Sequence, residues 1–303
     1  MKAVIDSSTR LTIPLSLIMS AKVSPGKYLK VTIRKGSRKE CFYIRVPSKA
    51  PSRKYLQVRR KLPKSVIGKL ELKPKDKVEV IELAEIGKAK TTRYFVGNKF
   101  DLLSLQLENV MAEPFTKNGE EWCRFWPSSK NGGLANFVEL KRFIPINRET
   151  GEFFGLMQAE SSKRGWKLDF TNTLVGEHKL FVTTAEKFGI PVDAWKWGMI
   201  VNPTLPENYI EKCTQKFREE TSLGPPSYNT NSKTILSVAY QIYVSRNILN
   251  RLFNGALVVL RKQIPEALTR NSNNNYENFC EGFITKYLLG DGTITFPSDS
   301  NVQ

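Results

Sequence analysis

The sequence predicts an α+β protein built from two unlike parts: a small, basic, β-rich N-terminal domain and a larger body in which helices and strands alternate. Three observations carry this. All of the excess positive charge lies in the first hundred residues. That same third contains a tandem repeat at an offset of 49 residues. Farther on, two similar helix-like motifs lie 131 residues apart. The expected division is 1–90 for the basic domain, 91–136 for a connector, 137–282 for the body, and 283–303 for the opening of a second copy of that body.

The charge distribution comes first. The chain of 303 residues carries a formal charge of +18. Residues 1–100 hold 25 Lys and Arg against 7 Asp and Glu, while residues 101–303 hold 22 of each. A block of this kind supplies phosphate affinity through counterion release and steers association. Nucleic acid is therefore the leading partner. An anionic membrane surface ranks second, because no basic amphipathic helix accompanies the block. Hydrophobic content of 40% and aromatic content of 11% exclude a disordered tail. No apolar run approaches the roughly 20 residues of a membrane span. The start, "MKAVIDSSTRLTIP", lacks a signal-peptide core, so a soluble, cytoplasmic protein is expected.

Cys41, Cys123, Cys213 and Cys280 form no C-x-x-C pair, so they are read as reduced thiols and neither zinc nor a redox dithiol is indicated. His178 is the single histidine and sits in the polar stretch "VGEHK", where a solvated ring is expected. Chemistry in this chain is therefore expected to rest on carboxylates.

The repeat aligns "RLTIPLSLIMSAKVSPGKYLKVTI" (10–33) with "RRKLPKSVIGKLELKPKDKVEVIE" (59–82) without gaps. Arg10/Arg59, Pro14/Pro63, Ser16/Ser65, Ile18/Ile67, Pro25/Pro74 and Val31/Val80 are identical. Each copy reads as strand, one or two helical turns, turn, strand. The proline precedes the helix, where its fixed φ is tolerated. Ser16 and Ser65 are candidate N-caps. "SPGK" and "KPKD" have turn chemistry.

These two stretches resemble the AbrB/SpoVT family of swapped-hairpin DNA-binding modules over roughly residues 5–85. Two copies in one chain then imply a single-chain pseudo-dimer. Lys75 stands where the family's turn glycine is expected. The likeness implies DNA contacts from Arg10, Arg34, Lys35, Arg38, Lys39, Arg53, Lys54, Arg59, Arg60 and Lys61, which hold phosphates rather than read bases. A basic β-rich domain of another kind is the alternative.

Residues 84–135 mix "EIGKAK", "EPFTKNGEEW" and "PSSKNGG" with the short run "FDLLSLQLENVM". They read as a loosely structured connector carrying one helix or two strands. Beyond it, "RETGEFFGLMQAES" reads as a buried helix opening at Arg148–Gly151. Gly155 and Ala159 are four apart and share a face, which lets another helix approach closely. The order that follows reads α-β-α-β-α-β-α, with room for hairpins.

The motif "FFGLMQAES" (153–161) aligns with "ITKYLLGDG" (284–292), matching Glu160 with Asp291 and Ala159 with Gly290. Together with its lead-in, "ELKRFIPINRETGE", which is similar to that of archaeal members, the pair resembles the LAGLIDADG homing endonucleases over residues 137–303. The resemblance implies αββαββα repeats whose sheet lies on double-stranded DNA. It also implies two motif helices packed along a pseudo-twofold axis. Glu160 and Asp291 would then be the catalytic acids and would hold Mg²⁺ or another divalent cation, with no small-molecule cofactor.

Lys163, Arg164, Lys167, Lys233 and Arg246 are the candidate DNA-facing residues of the body. Three departures stand out: Lys286 replaces the motif's first glycine, Gln158 and Leu289 replace its other common acid, and the second repeat stops early. A missing second repeat implies self-association. Two other functions fit the same residues, a non-cleaving DNA-binding regulator and an RNA-splicing maturase.

Overall fold

The computed structural model describes residues 2–14, 17–18, 27–46, 57–86, 91, 93–105, 107–127, 137–161, 167–270 and 273–291. The fold is mixed α+β, and the chain divides into two compact units. The first comprises residues 1–89, 108–114 and 124–138, and the second 90–107, 115–123 and 139–303.

In the first unit, β1 (Lys2–Val4), β3 (Tyr28–Lys35), β4 (Arg38–Arg45) and β6 (Lys77–Ile86) form a sheet of order β1-β6-β3-β4. A second, two-stranded sheet joins β2 (Arg10–Pro14) to β5 (Gln57–Lys61). The two copies of the repeat pair with each other. Strand β2 runs antiparallel to β5, with Arg10 opposite Lys61 and Thr12 opposite Arg59. Strand β3 likewise runs antiparallel to β6, with Ile33 opposite Val80. Each copy thus gives one strand to each pair. Alternation buries Leu11, Ile13, Leu29, Val31, Ile33, Val78 and Val80 in one core.

Helix α1 (Lys64–Lys69) follows the second copy's proline, as expected, and Pro63 is its N-cap residue. Ser65 lies inside the helix, and no side chain caps its start, which corrects the capping role expected of that serine. Ser16 and Pro25 fall outside the described residues. The turn after α1 puts Lys75 at φ 71°, at the position equivalent to Gly26 of the first copy. The bend is held by Asp76, whose carboxylate accepts the Lys73 N–H at 2.7 Å, while the Lys75 N–H donates to the Ile5 carbonyl at 2.7 Å. A left-handed backbone costs a residue with a Cβ about 1–2 kcal/mol. Lys75→Gly keeps both bonds and relieves that cost, less glycine's extra chain entropy. A gain of up to about 1 kcal/mol in urea unfolding is expected.

The stretch expected to be a loose connector is built of strands: β7 (Phe95–Val96), β8 (Lys99–Asp101), β9 (Val110–Lys117) and β10 (Glu120–Pro127). A 3-10 turn at Leu102–Ser104 lies among them. The decisive local signal is Asn118-Gly119, both at positive φ (52° and 78°). Asn-Gly fits the two-residue turn of a twisted hairpin. Trp126, fully buried, stacks on Tyr43 at 4.6 Å between ring centroids. Beneath it the Tyr43 hydroxyl bonds Glu113, which also pairs with Lys30 at 2.9 Å.

The second unit holds β11 (Val138–Lys141), β12 (Phe143–Pro145), β13 (Leu168–Asn172), β14 (Lys196–Val201), β15 (Asn229–Asn231) and β16 (Val238–Val244). Its helices are α2 (Arg148–Glu160), α3 (Val175–Lys187), α4 (Glu207–Thr221), α5 (Asn247–Arg270) and α6 (Asn274–Asp291). Strands β13-β16-β14-β15 form one sheet, antiparallel except between β14 and β15. From α2 to α5 the described order is α-β-α-β-α-β-β-α, and α6 follows. It follows the order read residue by residue except for one added strand, β15. It differs from the implied αββαββα by α3, which stands between the first and second strands. Helix α3 forms because His178, Phe181, Val182 and Ala185 place one apolar stripe at helical spacing.

His178 is the clearest correction. It was expected to be solvated and is fully buried. Its ring lies between Phe170 and Phe217, and its nitrogens sit 2.9 Å from the carbonyls of Leu174 and Tyr240. Local polarity misled because Glu177 and Lys179 flank the histidine, while the stripe it belongs to runs forward along the helix. Burial lowers its pKa below the ordinary value, although the two carbonyls and nearby Glu177 favour the cation. The folded state therefore resists a proton that the unfolded chain accepts. Stability is full above about pH 6.5 and falls as acidification proceeds toward the folded pKa, by at most about 1.4 kcal/mol per pH unit. With one histidine in the chain, the slope between about pH 6.5 and 5 should flatten in His178→Gln, read by urea unfolding across pH.

Candidate functional site

Helix α2 is fixed at both ends. At its start Asn147 caps the helix, its side-chain oxygen accepting the Thr150 N–H at 2.9 Å. At its end Ser161 turns to extended backbone (φ −91°, ψ 146°), while its N–H still donates to the Met157 carbonyl at 3.2 Å. Glu160 is thus the last helical residue, as its place at the end of the apolar stretch suggests. The apolar face of α2 is anchored on aromatic rings. Phe153 stacks on Phe181 with centroids 4.4 Å apart and meets Phe188 and Phe253 edge-on.

The other face of α2 meets α6, and the contact runs through glycine. A Cβ on Gly151 would stand 2.1 Å from the Phe279 carbonyl oxygen, and one on Gly282 would stand 2.3 Å from the Arg148 carbonyl oxygen. Farther along, a Cβ on Gly155 would lie 3.1 Å from the Lys286 Cβ, and one on Gly290 would lie 2.5 Å from the Ala159 Cβ. Starts meet starts and ends meet ends, so the helices are parallel. Residues 148 and 279, 151 and 282, 155 and 286, and 159 and 290 are each 131 positions apart, the offset of the two motifs. The Gly151 and Gly282 contacts are therefore exchanged by one pseudo-twofold axis.

Gly151 and Gly282 were not among the expected seam residues. The signal for them was present, since the motif alignment extends two residues upstream onto an identical glycine pair.

At the far end of the seam stand Glu160 and Asp291, at equivalent positions on adjacent helices. Glu160 lies along the seam: its Oε1 is 3.5 Å from where a Gly290 Cβ would be. The Asp291 side chain is not among those described. Ser161, next to Glu160, meets the buried Asp169 of β13 at 3.5 Å. The donors expected at this end are carboxylate oxygens, which suit a hard divalent cation. Among the described residues no three His, Cys, Asp or Glu side chains converge.

The sheet of this unit has two unlike faces. Leu168, Phe170, Trp197, Met199 and Ile242 are buried, and Phe217 packs on Trp197 with ring centroids 4.3 Å apart. The opposite face follows from register. Asp169 pairs with Tyr243, which pairs with Lys196 on its other side; Thr171 pairs with Gln241, which pairs with Gly198. This face is polar. Lys167 lies over the Tyr243 ring at 4.4 Å, and the Tyr228 hydroxyl bonds Gln241. Lys196 belongs to this face and was missed, although Trp197, Met199 and Val201 alternate with it in "KWGMIV". Lys233 and Arg246 are exposed, on the turn after β15 and just before α5. Lys163 and Arg164 lie outside the described residues.

In the first unit Arg10 and Lys61 are opposite each other on the two-stranded sheet, both exposed. Arg59 and Arg60 share that sheet's second strand. Arg34, Lys35 and Arg38 are each engaged in an ion pair, with Glu79, Asp76 and Glu71 at 2.6, 2.7 and 2.6 Å. Lys39 is exposed, while Arg53 and Lys54 fall outside the described residues. No helix among the described residues is long and apolar enough to cross a membrane. No family model matches this chain, and neither a curated protein nor a solved structure matches it.

Proposed function

We propose that this chain binds double-stranded DNA and hydrolyses its phosphodiester backbone with divalent cations, in the manner of LAGLIDADG-type homing endonucleases. The observation that carries this reading is the glycine seam. Two parallel helices related by a fixed sequence offset bring Glu160 and Asp291 to the same end, the arrangement a shared cation requires. Together the two acids are its expected ligands. When bound, Mg²⁺ supplies Lewis-acid stabilisation of charge on the phosphate and relieves the repulsion between neighbouring carboxylates. The chain's own part is positional. Asn147 and Ser161 fix the ends of α2, the glycines bring α6 against it, and the polar sheet face with Lys167, Lys196 and Tyr243 offers phosphate and sugar contacts.

A second reading, a DNA-binding regulator without cleavage, is favoured by one other observation: the strands of the N-terminal repeat pair copy to copy, as in an interlocked pseudo-dimer. One assay separates the two. The protein is incubated with DNA from its host locus and Mg²⁺, beside Glu160→Gln. Metal-dependent nicking or cleavage that the variant lacks supports the nuclease. Tight, salt-sensitive binding with no product supports the regulator.

A further inference from the structure

Tyr228 lies flat on the polar face of the second unit's sheet. It precedes β15, and the backbone here is pinned to β14: the Met199 N–H donates to the Tyr228 carbonyl at 3.1 Å, and the Ser227 N–H donates to the Trp197 carbonyl at 2.7 Å. A Cβ on Gly198 would stand 2.6, 2.6 and 2.7 Å from three adjacent atoms of the Tyr228 ring. A point beyond the ring's edge would be distinctly nearer to the middle atom, so the ring lies face-on over the glycine. The register sets Gly198 opposite Gln241, and the Tyr228 hydroxyl donates to the Gln241 side-chain carbonyl. The ring therefore crosses β14 from the sheet edge toward β16, held at its backbone and at its hydroxyl.

One face of this ring is taken by the glycine, and the other looks away from the sheet. Tyr228 is half-buried, and Lys196, two positions before Gly198 on β14, is exposed. The neighbouring ring is Tyr243, with centroids 6.3 Å apart, and Lys167 lies over it at 4.4 Å. Lys196 is the cross-strand partner of Tyr243. An amide and two ammonium groups thus share the face with the flat ring. Burial, with Tyr243 and Asp169 nearby, raises the Tyr228 pKa, so the hydroxyl keeps its proton and the ring sets no charge against a phosphate. A duplex turns base edges and phosphates toward a protein surface, and its stacked bases offer no face to such a ring. An unpaired base does. Rings carried on a sheet take the splayed bases of single strands by stacking, while cations track the backbone between them.

We propose that Tyr228 is a stacking platform for an unpaired nucleobase, which makes this sheet face a binding site for single-stranded nucleic acid. Gln241, at the hydroxyl end of the ring, supplies an amide to the edge of the stacked base. Lys167 and Lys196 take the flanking phosphates. Gly198 belongs to the site because a side chain there would lift the ring off the sheet. The site goes beyond the nuclease reading and does not rest on it.

The test uses the full chain with single strands of about ten nucleotides, oligouridine and oligothymidine, each also prepared with one 5-iodo base. Affinity is measured by fluorescence anisotropy at fixed salt, beside a duplex of the same length. Tyr228→Leu should weaken single-strand binding about fivefold or more and leave duplex binding within about twofold. Tyr228→Phe, which keeps the ring, should retain most of the single-strand affinity. The strand with the larger loss names RNA or DNA as the source of the base. Photo-crosslinking of the iodinated strands to the wild-type chain should give an adduct on Tyr228 by mass spectrometry, and if Tyr228→Leu does not fold, this adduct decides. The proposal is overturned by crosslinks that form only away from Tyr228, by a wild-type chain that binds no single strand, or by a folded Tyr228→Leu that binds single strands like the wild type or loses duplex equally. Absence of cleavage in the wild-type chain would sink the nuclease reading and leave this result standing.

Discussion

Gly151→Val should separate α6 from α2 and lower the stability of the second unit by about 3 kcal/mol or more, read as a shift in the urea midpoint. The reason is the nature of the neighbour. A Cβ at this position would lie 2.1 Å from a backbone carbonyl oxygen, so no rotamer change relieves the clash and a whole helix must move. Gly282→Val is the symmetric experiment, because its Cβ would meet the Arg148 carbonyl oxygen at 2.3 Å, and it should cost a similar amount. Gly176→Val is the control: its Cβ would meet nothing within 4 Å. Equal stability of all three variants would show that the seam is not closely packed. The same comparison tests the pseudo-twofold, since the two seam glycines are predicted to behave as a pair.

On the proposed nuclease reading, Glu160→Gln should reduce cleavage by a factor on the order of 10² to 10³ while leaving DNA affinity within about threefold. The substitution keeps the size of the side chain and removes the charge a cation needs. On that reading affinity is carried elsewhere, because Lys and Arg make phosphate contacts and their excess lies in the first hundred residues. Asp291→Asn should have an effect of the same order, because the two acids occupy equivalent positions at the end of the seam. Measuring single-turnover cleavage beside equilibrium binding at fixed salt separates the two contributions. A variant that binds and cleaves like the wild type would remove Glu160 from the chemistry, whereas loss of binding alone would mark it as a DNA contact.

Periodicity explains what was legible beforehand. The four-residue spacing of Gly155 and Ala159 placed a close helix contact on one face of α2, and α2 does use that face. The alternation of the two repeat copies, with a proline before a short helix in the second, matched β5, α1 and β6. These features depend on spacing along one segment, and spacing is visible in a single sequence. The Asn118-Gly119 turn was equally local and was passed over because the lysines and glutamates around it read as connector.

Other features depended on distant partners. His178 looks solvated among its immediate neighbours and is buried because Tyr240, 62 residues away, supplies a carbonyl and Phe217 a ring. Lys286 looks like a flaw in a glycine motif, and becomes intelligible only when Glu177, 109 residues earlier, is seen to receive its ammonium. The sequence by itself determined where the repeats, the charge and the two motif acids lie, because local spacing and composition set those. Only the tertiary structure decided which glycines close the seam and which charges are paired. Those depend on backbone approach and burial, and both arise from contacts between segments that no local pattern encodes.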